Sequence, residues 1–135
     1  GPSGVGERIF AGRNDAAAVA RARAWWGEQV TSIYDGSSSS ALLTGLMWLS
    51  AEEECPQAEF TGIALEYGTL PIRQMIDTLR ADQWAENHPE LAGERRAQFR
   101  RAMRDAFYID TPAWKTAVLA QAHEAAHQGV AGLAG

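Results

Sequence analysis

One short apolar run constrains the fold of this chain more than any other feature. It reads Phe60-Thr-Gly-Ile-Ala-Leu65 and is bounded by turn-forming residues. A run of that length and composition is typical of a buried β-strand. The run ends at Glu66, just before a glycine turn and a predicted helix start. A carboxylate there is well placed for acid–base chemistry, because several elements of an α/β fold converge at strand ends. A solvated strand-end glutamate is the alternative interpretation.

Two more strands and a helix are predicted in the first half of the chain. Residues 7–10 have the pattern of a short strand, and so do residues 30–34, which carry β-branched side chains before a Gly/Ser turn. Between them, residues 16–26 are predicted to form a helix capped by Asn14 or Asp15. The first half therefore alternates strands with helices.

The rest of the chain is predicted to be mainly helical. Residues 41–54 are predicted to form a helix before the Glu66 strand. Three helices are expected after Pro71, the second over residues 91–107 and the third from Thr111. Thr69 is a candidate cap for the first of them. Its apolar residues fall at i, i+3, i+4 and i+7, namely Ile72, Met75, Ile76 and Leu79. This order predicts an α/β fold with a partial mixed sheet flanked by helices and a helical C-terminal segment.

Length and composition limit the function classes. A chain of 135 residues that is 46% hydrophobic is expected to form a single domain over residues 1–135. A net charge of −5 and a pI of about 5.1 argue against nucleic-acid binding and against docking on anionic membranes. No apolar run approaches the ~20 residues that span a bilayer. Cys55 is the single cysteine, which excludes an internal disulfide and favours a reduced, cytoplasmic location.

Several stretches taken together resemble the zinc carboxypeptidase family. Thr61-Gly-Ile-Ala-Leu-Glu-Tyr-Gly-Thr-Leu-Pro71 resembles the last catalytic strand of that family. A bacterial branch of carboxypeptidase-like zinc peptidases is similar to this chain almost from end to end. The other matching stretches are residues 1–10, 32–37, 41–48, 54–59, 79–82 and 104–108. The resemblance implies that Glu66 is the general base of a zinc-dependent metallopeptidase or amide hydrolase, acting on a peptide or other amide substrate.

The same resemblance implies a zinc ion in the full-length protein and none in this chain alone. The family binds zinc through a His-x-x-Glu pair and a later histidine in a His-Thr-Gly-Leu-Gly-Pro stretch. Gly1-Pro2 resembles the tail of that stretch, so the zinc ligands and the family's substrate-binding Asn-Arg pair are expected before residue 1. The chain is then the C-terminal half of a larger catalytic domain, and the N-terminal half is its partner. A cloning remnant is the alternative interpretation of Gly1-Pro2.

Tyr34, Asp35 and Ser37 are predicted to form a pocket wall that binds substrate. They follow a strand candidate, and the resemblance places a similar Ile-Tyr stretch beside the substrate groove. A hydrogen-bonded turn is an equally good interpretation of these residues. Because Tyr34 and Glu66 both end strand candidates, we expect them to border one cleft. The family continues with an Asp-Trp-x-Tyr pattern where this chain has Ala41-Leu-Leu-Thr44. This difference argues against removal of C-terminal residues from ordinary peptides and leaves other amide substrates open.

A competing motif lies near the C-terminus. His123-Glu-Ala-Ala-His127 matches the H-E-x-x-H pattern, whose two histidines share one helix face and can bind one zinc ion. A catalytic site also needs a third ligand, and residues 128–135 contain no His, Asp, Glu or Cys. Helical spacing directs both histidines away from the apolar side of the helix. A polar helix face is the favoured interpretation of this motif.

The second function hypothesis for the chain as a whole is a non-catalytic α/β fragment that packs against another chain.

Overall fold

The computed structural model describes residues 6–38, 40–68 and 70–135. Within these ranges the chain forms two strands and five helices. Strand β1 spans Glu7–Phe10, helix α1 Ala16–Trp26, helix α2 Met47–Glu54, strand β2 Ile63–Glu66, helix α3 Ile72–Glu86, helix α4 Gly93–Phe107 and helix α5 Pro112–Ala134. The predicted α/β class is confirmed, with a small sheet and a helical C-terminal segment.

The chain divides into two compact units. The sheet unit consists of Gly6–Glu66 with Ala120–Gly135, and the helical unit contains Tyr67–Leu119. Helix α5 contributes its first residues to the helical unit and its last residues to the sheet unit. The prediction that residues 1–135 are part of one larger catalytic domain stays a prediction. Within the described ranges, no helix is both long and apolar enough to cross a membrane.

The sheet of the described residues has two antiparallel strands, and not the mixed arrangement that the sequence predicts. Strands β1 and β2 pair antiparallel, with Glu7 opposite Glu66 and Ile9 opposite Ala64. On its other side, β1 forms one parallel bridge, between Ile9 and Thr31. Strand β1 therefore lies between β2 and Thr31. Directly opposed residues project to the same face, so Glu7, Ile9, Ala64 and Glu66 share one face of the sheet.

The opposite face of the sheet carries the core of the sheet unit. Phe10 is 1% exposed, and it belongs to a buried cluster contributed by β1, α1, residue 30 and α5. The cluster consists of Phe10, Ala18, Val19, Ala22, Trp26, Val30 and Ala125, with Trp25, Tyr34, Ile63 and Leu65 packed against it. The indole N–H of Trp26 donates a 2.7 Å hydrogen bond to the Ala125 carbonyl oxygen. That bond satisfies a buried donor and joins α1 to α5.

Small residues bring the end of α5 close to the tryptophans of α1. A Cβ atom on Gly129 would lie 3.0 Å from Cζ2 of Trp26, and one on Gly132 would overlap the Trp25 ring. The absence of side chains at these two positions lets the helices approach. The same face of α5 carries Gln128, whose Oε1 accepts a 3.0 Å hydrogen bond from Arg8 Nη1.

Helices α3 and α4 pack together in the helical unit. Trp84 meets Phe99 edge-on at 5.9 Å and stacks on His88 at 4.2 Å. The predicted helix after Pro71 is confirmed as α3. Its apolar stripe is largely exposed, with Ile72 at 76% and Leu79 at 43%. The predicted cap, Thr69, lies outside the described residues.

The prediction of a strand over residues 30–34 is wrong. Only Thr31 pairs with β1, and residues 33–36 form a turn. Serine side chains supply the reason, because they take backbone hydrogen bonds that a ladder would use. Ser37 Oγ accepts from the Ser32 N–H at 2.9 Å, and Ser32 Oγ accepts from the Tyr34 N–H at 3.2 Å.

Two predicted helix starts are corrected. The helix predicted over residues 41–54 begins only at Met47, as α2. Gly45 has a φ of 70° and Leu46 is extended, and neither conformation continues a helix. The helix predicted from Leu91 begins at Gly93, as α4, because Ala92, with a ψ of 138°, is not helical.

Candidate functional site

Glu66 is the last residue of β2, and its side chain is exposed. Within the described part of the chain, no side chain or backbone N–H donates to its carboxylate. The position therefore leaves the carboxylate open to an incoming molecule, which a proton acceptor needs. Glu66 is where the sequence predicts a catalytic carboxylate, although its role stays a prediction.

A second carboxylate, Glu7, lies directly across the strand pair from Glu66. Oε1 of Glu7 accepts hydrogen bonds from Thr31 Oγ1 at 2.7 Å and from Ser38 Oγ at 3.1 Å. Sequence reasoning did not single out Glu7. A glutamate that begins a short strand is a weak signal, and only the strand register brings it beside Glu66.

An apolar cavity of about 30 Å³ opens beside Glu66. It is lined by Ile9, Phe10, Ile33, Ser40, Leu43, Leu46, Trp48, Ala64 and Glu66. The Trp48 indole N–H is buried and has no hydrogen-bond partner within the described ranges. The walls of the cavity are almost entirely apolar, and Glu66 lies among its lining residues. Such walls suit a small apolar group.

Tyr34 does not border this cavity. Its ring packs against the core cluster on the opposite face of the sheet, and its hydroxyl donates a 2.8 Å hydrogen bond to the Gly12 carbonyl oxygen. Glu66 lies beside the start of β1, whereas Gly12 follows the end of β1. The expectation that Tyr34 and Glu66 border one cleft is wrong, because β1 lies between their segments and the two segments run in opposite directions.

Asp35 and Ser37 form a hydrogen-bonded turn. Oδ1 of Asp35 accepts from the Ser37 hydroxyl at 2.5 Å and from the Ser37 backbone N–H at 2.9 Å. Its Oδ2 accepts from Arg23 Nη2 at 2.7 Å. These bonds, those from Ser37 first, lower the pKa of the Asp35 carboxyl to about 2. The geometry favours the turn interpretation over the pocket wall, and a substrate-binding role for the two residues stays a prediction.

Comparison with known families identifies the family of this chain. Residues 1–121 match the family described as protein of unknown function (DUF2817). The chain belongs to this family. No curated protein and no solved structure matches the chain.

The DUF2817 match includes all the residues of the Glu66 site. Glu7, Glu66 and every residue that lines the apolar cavity fall within residues 1–121. So do Tyr34, Asp35 and Ser37. The H-E-x-x-H motif at His123 begins beyond the range that matches the DUF2817 family.

The competing histidines lie on an exposed side of α5. His123 and His127 are both exposed, while Ala125 between them is buried. The predicted orientation away from the packed side of the helix is confirmed. Across residues 6–38, 40–68 and 70–135, no three or more His, Cys, Asp or Glu side chains come together as a metal site.

Proposed function

We propose that this chain carries the general base of a zinc-dependent metallopeptidase or amide hydrolase similar to the carboxypeptidases. Glu66 is the base. The observation that carries the proposal is the open carboxylate of Glu66 at the end of a strand and at the edge of an apolar cavity. Membership of the DUF2817 family is compatible with this activity but does not specify it.

Glu66 would act on protons in two steps. An ionised carboxylate first accepts a proton from the attacking water, and the resulting acid then gives that proton to the leaving amine. Both transfers require the carboxylate within about 2.6–3.2 Å of the reacting atom. An exposed side chain at a strand end, unengaged by neighbouring donors among the described residues, can reach that distance without breaking an existing bond.

The proposal does not assign zinc ligands to this chain. The described side chains provide no three-ligand group, so the proposal leaves the metal to the N-terminal half of the domain, as the resemblance implies. Glu66 in this proposal is a base and not a zinc ligand.

The cavity suggests the kind of substrate. Its walls are aliphatic and aromatic, and a volume of about 30 Å³ suits a group of one or two carbon atoms. The substrate in this proposal is a peptide or other amide that places a small apolar group beside the scissile bond. With a single cysteine, Cys55, the proposal locates the protein in the cytoplasm.

A non-catalytic interaction module is the second candidate. Large apolar side chains in the sheet unit favour it, since Met47 is 86% exposed and Leu42 is 69% exposed. Such side chains mark contact surfaces when they cluster. This candidate predicts binding to another chain and no amide hydrolysis.

The proposal is tested with the full-length protein that contains this chain. Hydrolysis of N-acetylated dipeptides is followed by release of the free amine, with and without a chelator and after zinc is restored. The proposed function requires zinc-dependent hydrolysis that is lost in the E66Q variant. Absence of hydrolysis across a broad panel of peptide and acyl amides contradicts it and favours the interaction module.

A further inference from the structure

A second cleft lies at the other end of β2 from Glu66. It has a volume of about 250 Å³ and opens where α1 begins and the segment before β2 passes by. Its lining consists of Arg13, Asp15, Ala17, Ala18, Arg21, Glu52, Pro56, Ala58, Glu59 and Phe60. None of these residues lines the Glu66 cavity. The two sites therefore use different side chains of the sheet unit.

Two guanidinium groups offer donors to this cleft. Arg21 is held in place by bonds from Nε to Thr61 Oγ1 at 2.6 Å and from Nη2 to the Phe60 carbonyl oxygen at 3.3 Å. Its remaining nitrogen, Nη1, has only a 4.0 Å contact with Glu59. Arg13 contacts Glu52 through Nε at 3.2 Å, so its two terminal nitrogens have no partner among the described residues. Both groups keep N–H donors for a carboxylate, which guanidinium groups bind well.

Three carboxylates line the same cleft, and they differ in how many of their oxygens already have a partner. Glu52 is 13% exposed and is satisfied by the side chain and the backbone N–H of Arg13. Glu59 is 85% exposed and is held only by the long contact with Arg21. Asp15 uses Oδ1 to cap α1, and its other oxygen accepts no bond within the described ranges. Glu59 and Asp15 therefore keep acceptors for a cationic group.

We propose that this cleft binds a zwitterion of amino-acid size. The ligand's carboxylate would contact Arg21 and Arg13, and its ammonium group would contact Glu59 and Asp15. The carboxylates of Glu59 and Asp15 would repel a ligand that carries only a negative charge. The guanidinium group of Arg21 would repel a ligand that carries only a positive charge. Pro56, Ala58 and Phe60 add an apolar wall for a side chain. The inference goes beyond the proposed hydrolase function, because it assigns a separate ligand site.

The proposal is tested with three ligands of matched shape. L-leucine carries both charges, 4-methylpentanoate lacks the ammonium group and 3-methylbutylamine lacks the carboxylate. Each is titrated at pH 7 into the ¹⁵N-labelled full-length protein that contains this chain, and the Arg21 Nε–H signal and the Ala17 and Ala58 amide signals are followed. We expect L-leucine to bind about threefold or more tightly than either analogue, which is the scale of one partly exposed ion pair.

Variants assign the contacts. In E59Q, the preference for L-leucine over 4-methylpentanoate should decrease, and the exposure of Glu59 makes a folding defect unexpected. In R21Q, the preference for L-leucine over 3-methylbutylamine should decrease. E53Q is the matched control, because Glu53 is exposed on α2 and does not line the cleft. Equal binding of L-leucine and one analogue to the original protein, an undiminished preference for L-leucine over 4-methylpentanoate in E59Q, or no shifts at all would overturn the proposal.

Discussion

Asp35 shows how a single turn resolves two interpretations of the same residues. The Tyr-Asp-Gly-Ser pattern suits a pocket wall or a hydrogen-bonded turn, and residue type alone does not separate them. In the folded chain, both carboxylate oxygens of Asp35 accept hydrogen bonds, from Ser37 and from Arg23. Arg23 comes from α1, twelve residues earlier. Only the fold brings it to Asp35, so the sequence could not decide between the two interpretations.

The lowered pKa of Asp35 gives a pH-dependent prediction. The folded-state pKa is about 2, against an ordinary value of 3.8. The Asp35 carboxylate therefore stabilises the folded chain above about pH 4, and this contribution is lost as the pH falls toward 2. We expect D35N to have a lower Tm than the original chain at pH 7. The difference should narrow steadily between pH 4 and pH 2, as measured by circular dichroism.

The control for D35N is E53Q. Glu53 is an exposed carboxylate without a hydrogen bond or ion pair among the described residues. Its replacement should leave the Tm unchanged at both pH values. A D35N deficit of the same size at pH 7 and pH 2 would contradict the assigned hydrogen bonds.

The sequence predicts best the helices and strands whose ends and interior are set by nearby residues. Helix α1 spans the predicted residues, because alanines favour the helix, Asp15 caps it and Gly27, with a φ of 99°, ends it. The segment over residues 30–34 was predicted wrongly, because its serines bond to nearby backbone groups and remove it from the sheet. Helix α2 begins later than predicted for a different reason, because Gly45 has a φ of 70° and so is not helical. Competition between side-chain and ladder hydrogen bonds is not visible in residue propensities.

The cap of α1 can be tested directly, since the sequence left Asn14 and Asp15 open. Asp15 Oδ1 accepts the Ala17 N–H at 2.9 Å. We expect D15A to lower the free energy of unfolding by about 1 kcal/mol, the usual worth of a helix cap. N14A should have an effect near zero. Urea unfolding of both variants provides the measurement, and an N14A loss larger than that of D15A would show that the cap is misassigned.

The contact between α5 and α1 gives a prediction about glycine. In a helix, Gly→Ala ordinarily stabilises by about 1 kcal/mol. At Gly132 the new Cβ would overlap the Trp25 ring, and overpacking costs about 1–3 kcal/mol. We therefore expect G132A to destabilise the chain by about 1 kcal/mol, measured by urea unfolding. G93A is the matched control at an open position of α4 and should be neutral or stabilising. Equal gains in both variants would contradict the packing.

At the scale of the whole molecule, the sequence predicts one half of the candidate site. Glu66 was identified from a strand pattern and a family resemblance. Glu7 and the Trp48 cavity were not, because they depend on the register of β1 against β2 and on a loop that covers the sheet. Tyr34 does not lie beside Glu66 as predicted, because residues 33–36 form a turn where the sequence predicts a strand. Pairings between distant segments carry little signal in one sequence.

The central claim is that Glu66 is a general base. The most direct test is the turnover of the E66Q variant of the full-length enzyme on its best amide substrate. Gln keeps the size of the side chain but cannot accept the proton, so kcat should fall by on the order of 10²–10⁴. Bound zinc, circular dichroism and KM should stay close to those of the original enzyme. E53Q, an exposed glutamate on α2, should retain full turnover. An E66Q enzyme with undiminished kcat, or one that loses its zinc, would contradict the account.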